Sequence, residues 1–388
     1  MNGPFPISPI PFVPRPLRGE AMSSWLGRVA GFYHVSVFRL LDHLGIVLLD
    51  RPQMHWLGIP PLLPSQLELL SARLRVSMDQ LRLLNPSPHV MAGDTGLSYC
   101  PRCFVEDRRS GRVLHWRREW LISWNVSCPK HQRFLAHLKA IPKQLLNFWN
   151  LNNNDLARRL CCLRSPIPLP WEERVLWEVT SLCDALSSKD HALLGIKERF
   201  GELPCWALRT VCLDLADALL IEAPFEGNFL MRLRRLINRG PSEKDFTCNI
   251  LFERHRRLAA ISQPKPRAFA LYVISRLLEG CLYSSKSHHR SLDSHCAFRH
   301  LWFWLLLPTH ARAILQLNSQ TWPFDYRERY WPELQMTDDE LDEHVTDLHL
   351  HFGDSLSFAH HRIALRSILS FTELRHRTPK KSRRFIVH

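Results

Sequence analysis

Apolar residues recur at helical spacing over most of the chain. Met22, Trp25, Leu26, Val29, Ala30 and Tyr33 fall on one stripe, and Val37, Leu40, Leu41 and Leu44 resume it after a break at His34 to Ser36. The pattern predicts a helix–turn–helix-like pair. It returns from Gln66 to Leu84, where Leu67, Leu70, Leu74, Leu81 and Leu84 are apolar and Ser77 stands as an N-cap before Met78. Such hairpins serve equally as packing units and as readers of the DNA major groove. Beyond Pro166, Pro168 and Pro170, which mark a domain boundary, Leu176, Val179, Leu182 and Leu186, then Trp206, Val211, Leu215 and Leu219, keep a period near 3.6.

The expected fold is therefore mainly α. A Pro-rich extended arm over residues 1–18 precedes a helix-turn-helix-like helical module over 19–97 and a structural zinc-binding module over 98–165. An all-helical C-terminal domain over 166–374 and a basic tail over 375–388 complete the chain. Six prolines among the first sixteen residues fix φ and remove amide donors, so the arm should lie on a surface rather than form a core.

Charge narrows the partners. Lys and Arg number 51 against 37 Asp and Glu, a net +14, which favours polyanions and nucleic acid first. The excess is concentrated: residues 1–150 hold 18 basic against 9 acidic side chains. A second basic stretch, Asn228 to Arg267, places Arg232, Arg235 and Arg239 near one helical face, which a solvated surface explains as well as phosphate binding. The acidic cluster from Asp338 to Asp347 suits a first helical turn. The apolar run Leu301 to Leu307 is far below the roughly 20 residues that span a bilayer, and the N-terminus lacks the form of a secretory signal. A cytoplasmic location is expected.

Eleven cysteines, an odd number, do not form an even disulfide framework. Four residues stand out instead. Cys100-Pro-Arg-Cys103 and Cys128-Pro-Lys-His131 form C-x2-C-x24-C-x2-H, in which each short interval lets one turn aim two ligands at a single ion. Three thiolates and an imidazole predict one closed, structural zinc site with no open position for water. Between the knuckles, Trp116, Trp120 and Trp124 at i, i+4 and i+8 predict one face of a helix packed as core, with Arg117 and Arg118 directed elsewhere, toward solvent, nucleic acid or an acidic partner. His288, His289, His349, His351, His360 and His361 lack a cysteine or carboxylate framework and are read as incidental. No phosphate-binding loop, serine elbow or H-E-x-x-H pair is present, so no catalytic activity and no small-molecule substrate are expected.

Pro14-Arg-Pro-Leu-Arg-Gly-Glu20, running into Met22-Ser-Ser-Trp-Leu-Gly-Arg28, resembles the opening of the TniQ/TnsD family of bacterial transposition target-selection proteins. Tyr99-Cys-Pro-Arg-Cys103 with Glu106-Asp107, Trp116-Arg-Arg-Glu-Trp120 and Val126-Ser-Cys-Pro-Lys-His131 is similar to that family's zinc-binding block, over roughly residues 8–160 in all. The resemblance implies a non-catalytic adaptor that links target DNA, or an RNA-guided CRISPR effector on it, to an AAA+ ATPase that recruits the transposase, with homodimers among the members. It implies zinc on Cys100, Cys103, Cys128 and His131 and a helix–turn–helix from Glu20 to Leu44. Arg28, Arg39, Arg117, Arg118, Arg232, Arg235 and Arg239 are the expected nucleic-acid or partner contacts. Members often carry a second cysteine set; here Phe134 to Leu160 has none, and Cys161-Cys162 lacks knuckle spacing. A stand-alone sequence-specific DNA-binding regulator is the alternative reading, with a zinc-dependent nuclease or integrase third.

Overall fold

The computed structural model describes residues 9–48, 62–85, 97–138, 170–187, 203–220, 263–286 and 309–331, with Cys161, Leu307, Asp339 and the pairs 222–223 and 227–228. Helices dominate these residues, and every strand is two or three residues long. Arg232, Arg235, Arg239, the histidine doublets and the basic tail lie outside the described residues.

The first helix pair forms where the apolar stripe places it. Helix α1 spans Met22–Phe32 and α2 spans Val37–His43. The turn between them passes through His34 at φ 54°, and the Ser36 hydroxyl accepts the Arg39 amide to cap α2. The second pair, α3 (Pro64–Leu74) and α4 (Met78–Leu84), repeats the design. Proline at its first turn starts α3, Arg75 at φ 52° ends it, and Ser77 caps α4 as its sequence position predicts. Asn85 closes the pair against its own entry, accepting the Leu62 amide and donating to the Leu62 carbonyl.

The proline arm lies on these helices. The Ile10 amide donates to the Arg73 carbonyl, the Tyr33 hydroxyl bonds both backbone groups of Phe12, and the Trp25 indole donates to the Pro14 carbonyl at 2.7 Å. With the arm on one side, α1 buries Trp25, Leu26 and Val29 and also Ser23, Ser24 and Gly27.

Strand β1 (Leu97–Tyr99) leads into helix α5 (Pro101–Arg109). The interval from Leu114 to Val126 is not the continuous helix that the tryptophan spacing predicts: it holds an isolated bridge at Arg117, one 3₁₀ turn over Arg118–Leu121, and turns. Strands β2 (Ser127–Cys128) and β3 (Arg133–Phe134) form a hairpin, and β4 (Ala136–Leu138) returns antiparallel to β1 with Ser98 opposite His137.

The C-terminal part contains α6 (Pro170–Ser187), α7 (Cys205–Leu220), α8 (Pro264–Lys286), α9 (Thr309–Ser319) and α10 (Phe324–Tyr330), with the two-residue strands β5 (Glu222–Ala223) and β6 (Gly227–Asn228) paired after α7. Helix α8 packs on α6 and α7, and α9 packs on α7. The stripes are Val175, Val179, Leu182 and Leu186 on α6 and Leu208, Val211, Leu215 and Leu219 on α7. Trp206, which the periodicity puts on this stripe, is exposed, and Leu208 fills the position instead.

Two apolar cores result. One joins Ile10, both helix pairs, Tyr99, Phe104, Trp116, Trp120 and Leu135; the other joins α6 to α9. From the segment between the knuckles, Trp124 and Val126 belong to the second core, while Trp116, Trp120 and Cys128 belong to the first. The three tryptophans are core residues, as expected, but they serve two cores.

Candidate metal centre

Local structure brings the four knuckle residues together. Cys100 follows strand β1 directly as the N-cap of α5, Pro101 opens that helix, and Cys103 sits in its first turn. On the other side the hairpin turn after Cys128 closes with the Gln132 amide on the Cys128 carbonyl at 2.8 Å, and Gln132 adopts φ 47°. This turn presents His131 back toward the cysteines. The β1–β4 pairing then joins the two knuckles.

The ligand atoms lie within 4.8 Å of one another, with Cys100, Cys103 and Cys128 buried. His131 Nδ1 is 3.4 Å from Cys100 Sγ, 3.4 Å from Cys103 Sγ and 3.5 Å from Cys128 Sγ, and Cys103 Sγ is 3.6 Å from Cys128 Sγ. A disulfide needs a sulfur separation of about 2.05 Å, so the thiols are unpaired. Zinc bonds of about 2.3 Å to sulfur and about 2.0–2.1 Å to nitrogen, opened to tetrahedral angles, give ligand edges of about 3.5–3.8 Å. The observed edges fit such an ion. Crowding also shows in the thiols' acidity: hydrogen bonds with Cys103 and Cys128 lower Cys100 to about 3, while those with Cys100 and Cys128 push Cys103 up. A bound cation would favour the thiolate form of such a cluster.

Residues around the four fix their orientation. With Nδ1 turned to the sulfurs, His131 Nε2 donates to Glu106 Oε1 at 2.9 Å, the carboxylate–histidine pairing that holds a metal-binding imidazole. Glu106 also accepts from Lys130, and the two hydrogen bonds, Lys130 first and His131 second, lower its carboxyl to about 2. Arg117 Nη1 donates to Cys103 Sγ at 2.8 Å while its Nη2 reaches both Asp107 oxygens at 3.3–3.4 Å. Its guanidinium lies 5.3 Å from the centre of the Trp120 ring. One cation thus faces the sulfur cluster, where it would offset the charge of bound thiolates, and braces it on the aromatic core.

Phe104 is the hub of that core, with ring centres 5.4 Å from Tyr99, 5.2 Å from Trp116 and 5.3 Å from Trp120. The Trp116 indole donates to the Ser98 carbonyl beside Cys100. From here the centre is tied to α1. Gly19 to Ala21 runs antiparallel to Trp116–Arg118, with the Ala21 amide on the Trp116 carbonyl and the Arg118 amide on the Gly19 carbonyl, both at 2.9 Å. Gly19, at φ 74°, makes the bend into this pairing. Glu20 is fully enclosed and takes the Leu17 amide, the Ser24 hydroxyl and Arg28, whose Nη2 is 2.6 Å from Oε2. Ser24 in turn accepts the Trp116 amide.

Of the expected nucleic-acid contacts, Arg28 is bound to Glu20, Arg117 to Cys103 and Asp107, and Arg118 to the Leu83 carbonyl; Arg39 is exposed on α2. Two structural residues escape a reading by spacing. Glu106 signals itself only as one helical turn beyond Cys103. Arg267, on α8, is fully buried and donates to the Ser123 carbonyl at 2.6 Å and the Ser98 hydroxyl at 3.1 Å, so the C-terminal helices clasp the strand that carries Cys100. Its partners are 144 and 169 residues away, beyond any local pattern. Among the described residues no other group of cysteine, histidine and carboxylate ligands converges on one point, and no helix is long and apolar enough to cross a membrane.

Residues 11–135 match the family model described as TniQ. Neither the curated proteins nor the solved structures yield a match.

Proposed function

We infer, from the match of residues 11–135 to the TniQ family model, that this protein serves target selection in DNA transposition, as a non-catalytic adaptor. The observation that carries the reading is a coincidence of limits. The matched segment, 11–135, is nearly the segment that folds into one core, from Ile10 to Leu135, around the Cys3His cluster. The segment related to the family thus carries the N-terminal core and the Cys3His cluster together.

In this reading the ion is zinc, and its role is structural. Four protein ligands leave no coordination position for water or substrate, so the centre holds β1, α5 and the hairpin in register without activating a nucleophile. The adaptor links target DNA, or an RNA-guided CRISPR effector seated on it, to an AAA+ ATPase that recruits the transposase. The net charge of +14 suits such a nucleic-acid setting. Association as a homodimer belongs to the same proposal.

The test is co-sedimentation of the full chain with its cognate AAA+ ATPase, ATP and duplex DNA at about 150 mM salt, repeated with an RNA-guided effector complex where one is encoded nearby. The adaptor reading expects the chain in the ATPase-containing fraction. A chain that stays apart from the ATPase under all these conditions, yet enriches one extended site from random duplexes, would replace it with a stand-alone regulator. The two helix pairs favour that second reading over any other rival.

A further inference from the structure

We propose that the face of the metal module formed by α5 and its flanking turns is a binding surface for the phosphate backbone of duplex DNA. This rests on the target-selection reading and gives its DNA contact a place. Three arginines of the first helix-pair motif and the knuckle interval, Arg28, Arg117 and Arg118, spend their donors inside the protein. The second helices of the two pairs are nearly neutral on their exposed positions: α2 carries one arginine, Arg39, and one aspartate, Asp42, and on α4 Arg82 is paired to Asp79. A phosphate-binding role therefore has to be sought elsewhere among the described residues.

Helix α5 supplies it. The side chains of Arg102, Arg108 and Arg109 are exposed and make no hydrogen bond or ion pair among the described residues. Arg102 and Arg109 are seven residues apart, so they share a face and are separated by about 10 Å of helix rise, a distance comparable to a few phosphates along one strand. Two further cations flank them, already held in place. Arg112 is fixed on Asp107 at 3.1 Å and Lys130 on Glu106, with more than half of each side chain exposed. Both anchoring carboxylates are occupied, so the face presents guanidinium and ammonium donors with their orientation partly set in advance.

Helix stability accounts for only part of this. Arg108 and Arg109 lie in the last turn of α5, where the helix dipole favours a cation. Arg102 lies in the first turn, where the dipole disfavours one and no acidic residue offsets it. Planar guanidiniums, each able to give two parallel hydrogen bonds, match phosphate oxygens better than the single point charge of a lysine.

The test is fluorescence anisotropy of the full chain with a labelled 30-base-pair duplex of random sequence, from about 50 to 200 mM salt. The Arg102→Gln, Arg108→Gln and Arg109→Gln substitutions are combined in one chain. Zinc content and melting temperature should be unchanged, since none of the three packs in the core. The combined variant should bind at least about tenfold more weakly at low salt, with the slope of log K against log salt reduced by about 2–3, as expected at about 0.9 for each phosphate left without its arginine. Arg15→Gln with Arg18→Gln, two exposed arginines outside this face, should leave both quantities within about twofold. Unchanged affinity and slope in the combined variant would overturn the surface while leaving the adaptor reading to its ATPase test. Equal weakening in the control variant would also overturn it, by showing attraction to overall charge. Absence of duplex binding by the unsubstituted chain at 50 mM salt would remove direct DNA contact altogether.

Discussion

The two cores are held in different ways. The C-terminal helices meet through long aliphatic stripes, with side-chain ties set among them such as Trp322 to Asp214 at 2.7 Å, Arg209 to the Leu186 carbonyl at 2.6 Å and Arg276 to Glu178 at 3.5 Å. The N-terminal core is built of short elements, none longer than eleven residues, and is laced with directional bonds: the Cys3His cluster, the Glu20–Arg28 pair, the Ser24 and Trp116 hydrogen bonds and the Arg117 brace. A long helix buries enough apolar area to hold itself in place by non-directional packing. Two- and three-residue strands and single turns do not, so their arrangement depends on bonds with specific geometry. A chemical lesion should accordingly be severe in the N-terminal core and graded in the C-terminal one.

The largest effect is expected at the ligands. Structural zinc in small domains contributes about 10–16 kcal/mol of binding free energy that is also folding free energy. Cys103→Ser should abolish cooperative unfolding of the N-terminal core, seen as loss of amide-exchange protection over residues 97–138, while α7 and the 264–278 part of α8 keep theirs. Arg28→Met comes next. It leaves the enclosed Glu20 carboxylate without its cation, and breaking such a buried pair costs about 3–5 kcal/mol. Chemical denaturation should show it as a lower midpoint, and Glu20→Gln combined with Arg28→Met should recover part of the loss, because the lone buried charge is then gone.

Arg267→Met tests the joint between the cores. It leaves the Ser123 carbonyl and the Ser98 hydroxyl without their donor, at about 1–3 kcal/mol each. Limited proteolysis should then cut between the cores faster while metal content stays at that of the unsubstituted chain. Simultaneous loss of metal would mean that the clasp and the ligand strand are one unit. Glu106→Gln should weaken metal binding about 10–100-fold in a chelator competition, as loss of the carboxylate behind a metal-binding histidine does elsewhere. The smallest effect belongs to the caps: Ser36→Ala and Ser77→Ala should each cost about 1 kcal/mol in thermal or chemical unfolding.

This contrast also governs what the amino-acid order reveals. The helix pairs, the Ser77 cap and the converging cysteines follow rules that act over a few residues, so spacing alone locates them. Trp116, Trp120 and Trp124 share helical spacing, yet the chain between the knuckles is bent into a bridge, one 3₁₀ turn and a crossing. Trp116 is pinned by Ser24 and Ser98, Trp120 packs on Phe104, and Trp124 donates to Ser187 in the other core. Backbone pairing with Gly19 to Ala21, almost a hundred residues earlier, overrides the local period. Partners 10 to 35 residues away likewise hide the roles of Arg117 and Arg118, which are set only once the module folds. Glu106 and Arg267 are visible in the sequence as charged residues, but their functions depend on His131, Ser98 and Ser123, which only the tertiary fold brings near.

Metal content and thermal melting of the purified full chain, before and after treatment with a strong chelator, test the central claim most directly. One zinc per chain, with chelation erasing the cooperative transition of the N-terminal core and leaving that of the C-terminal helices, is the expected result. A chain that purifies without metal and melts identically in chelator would contradict it, and would reduce the Cys3His cluster to three buried thiols and a histidine.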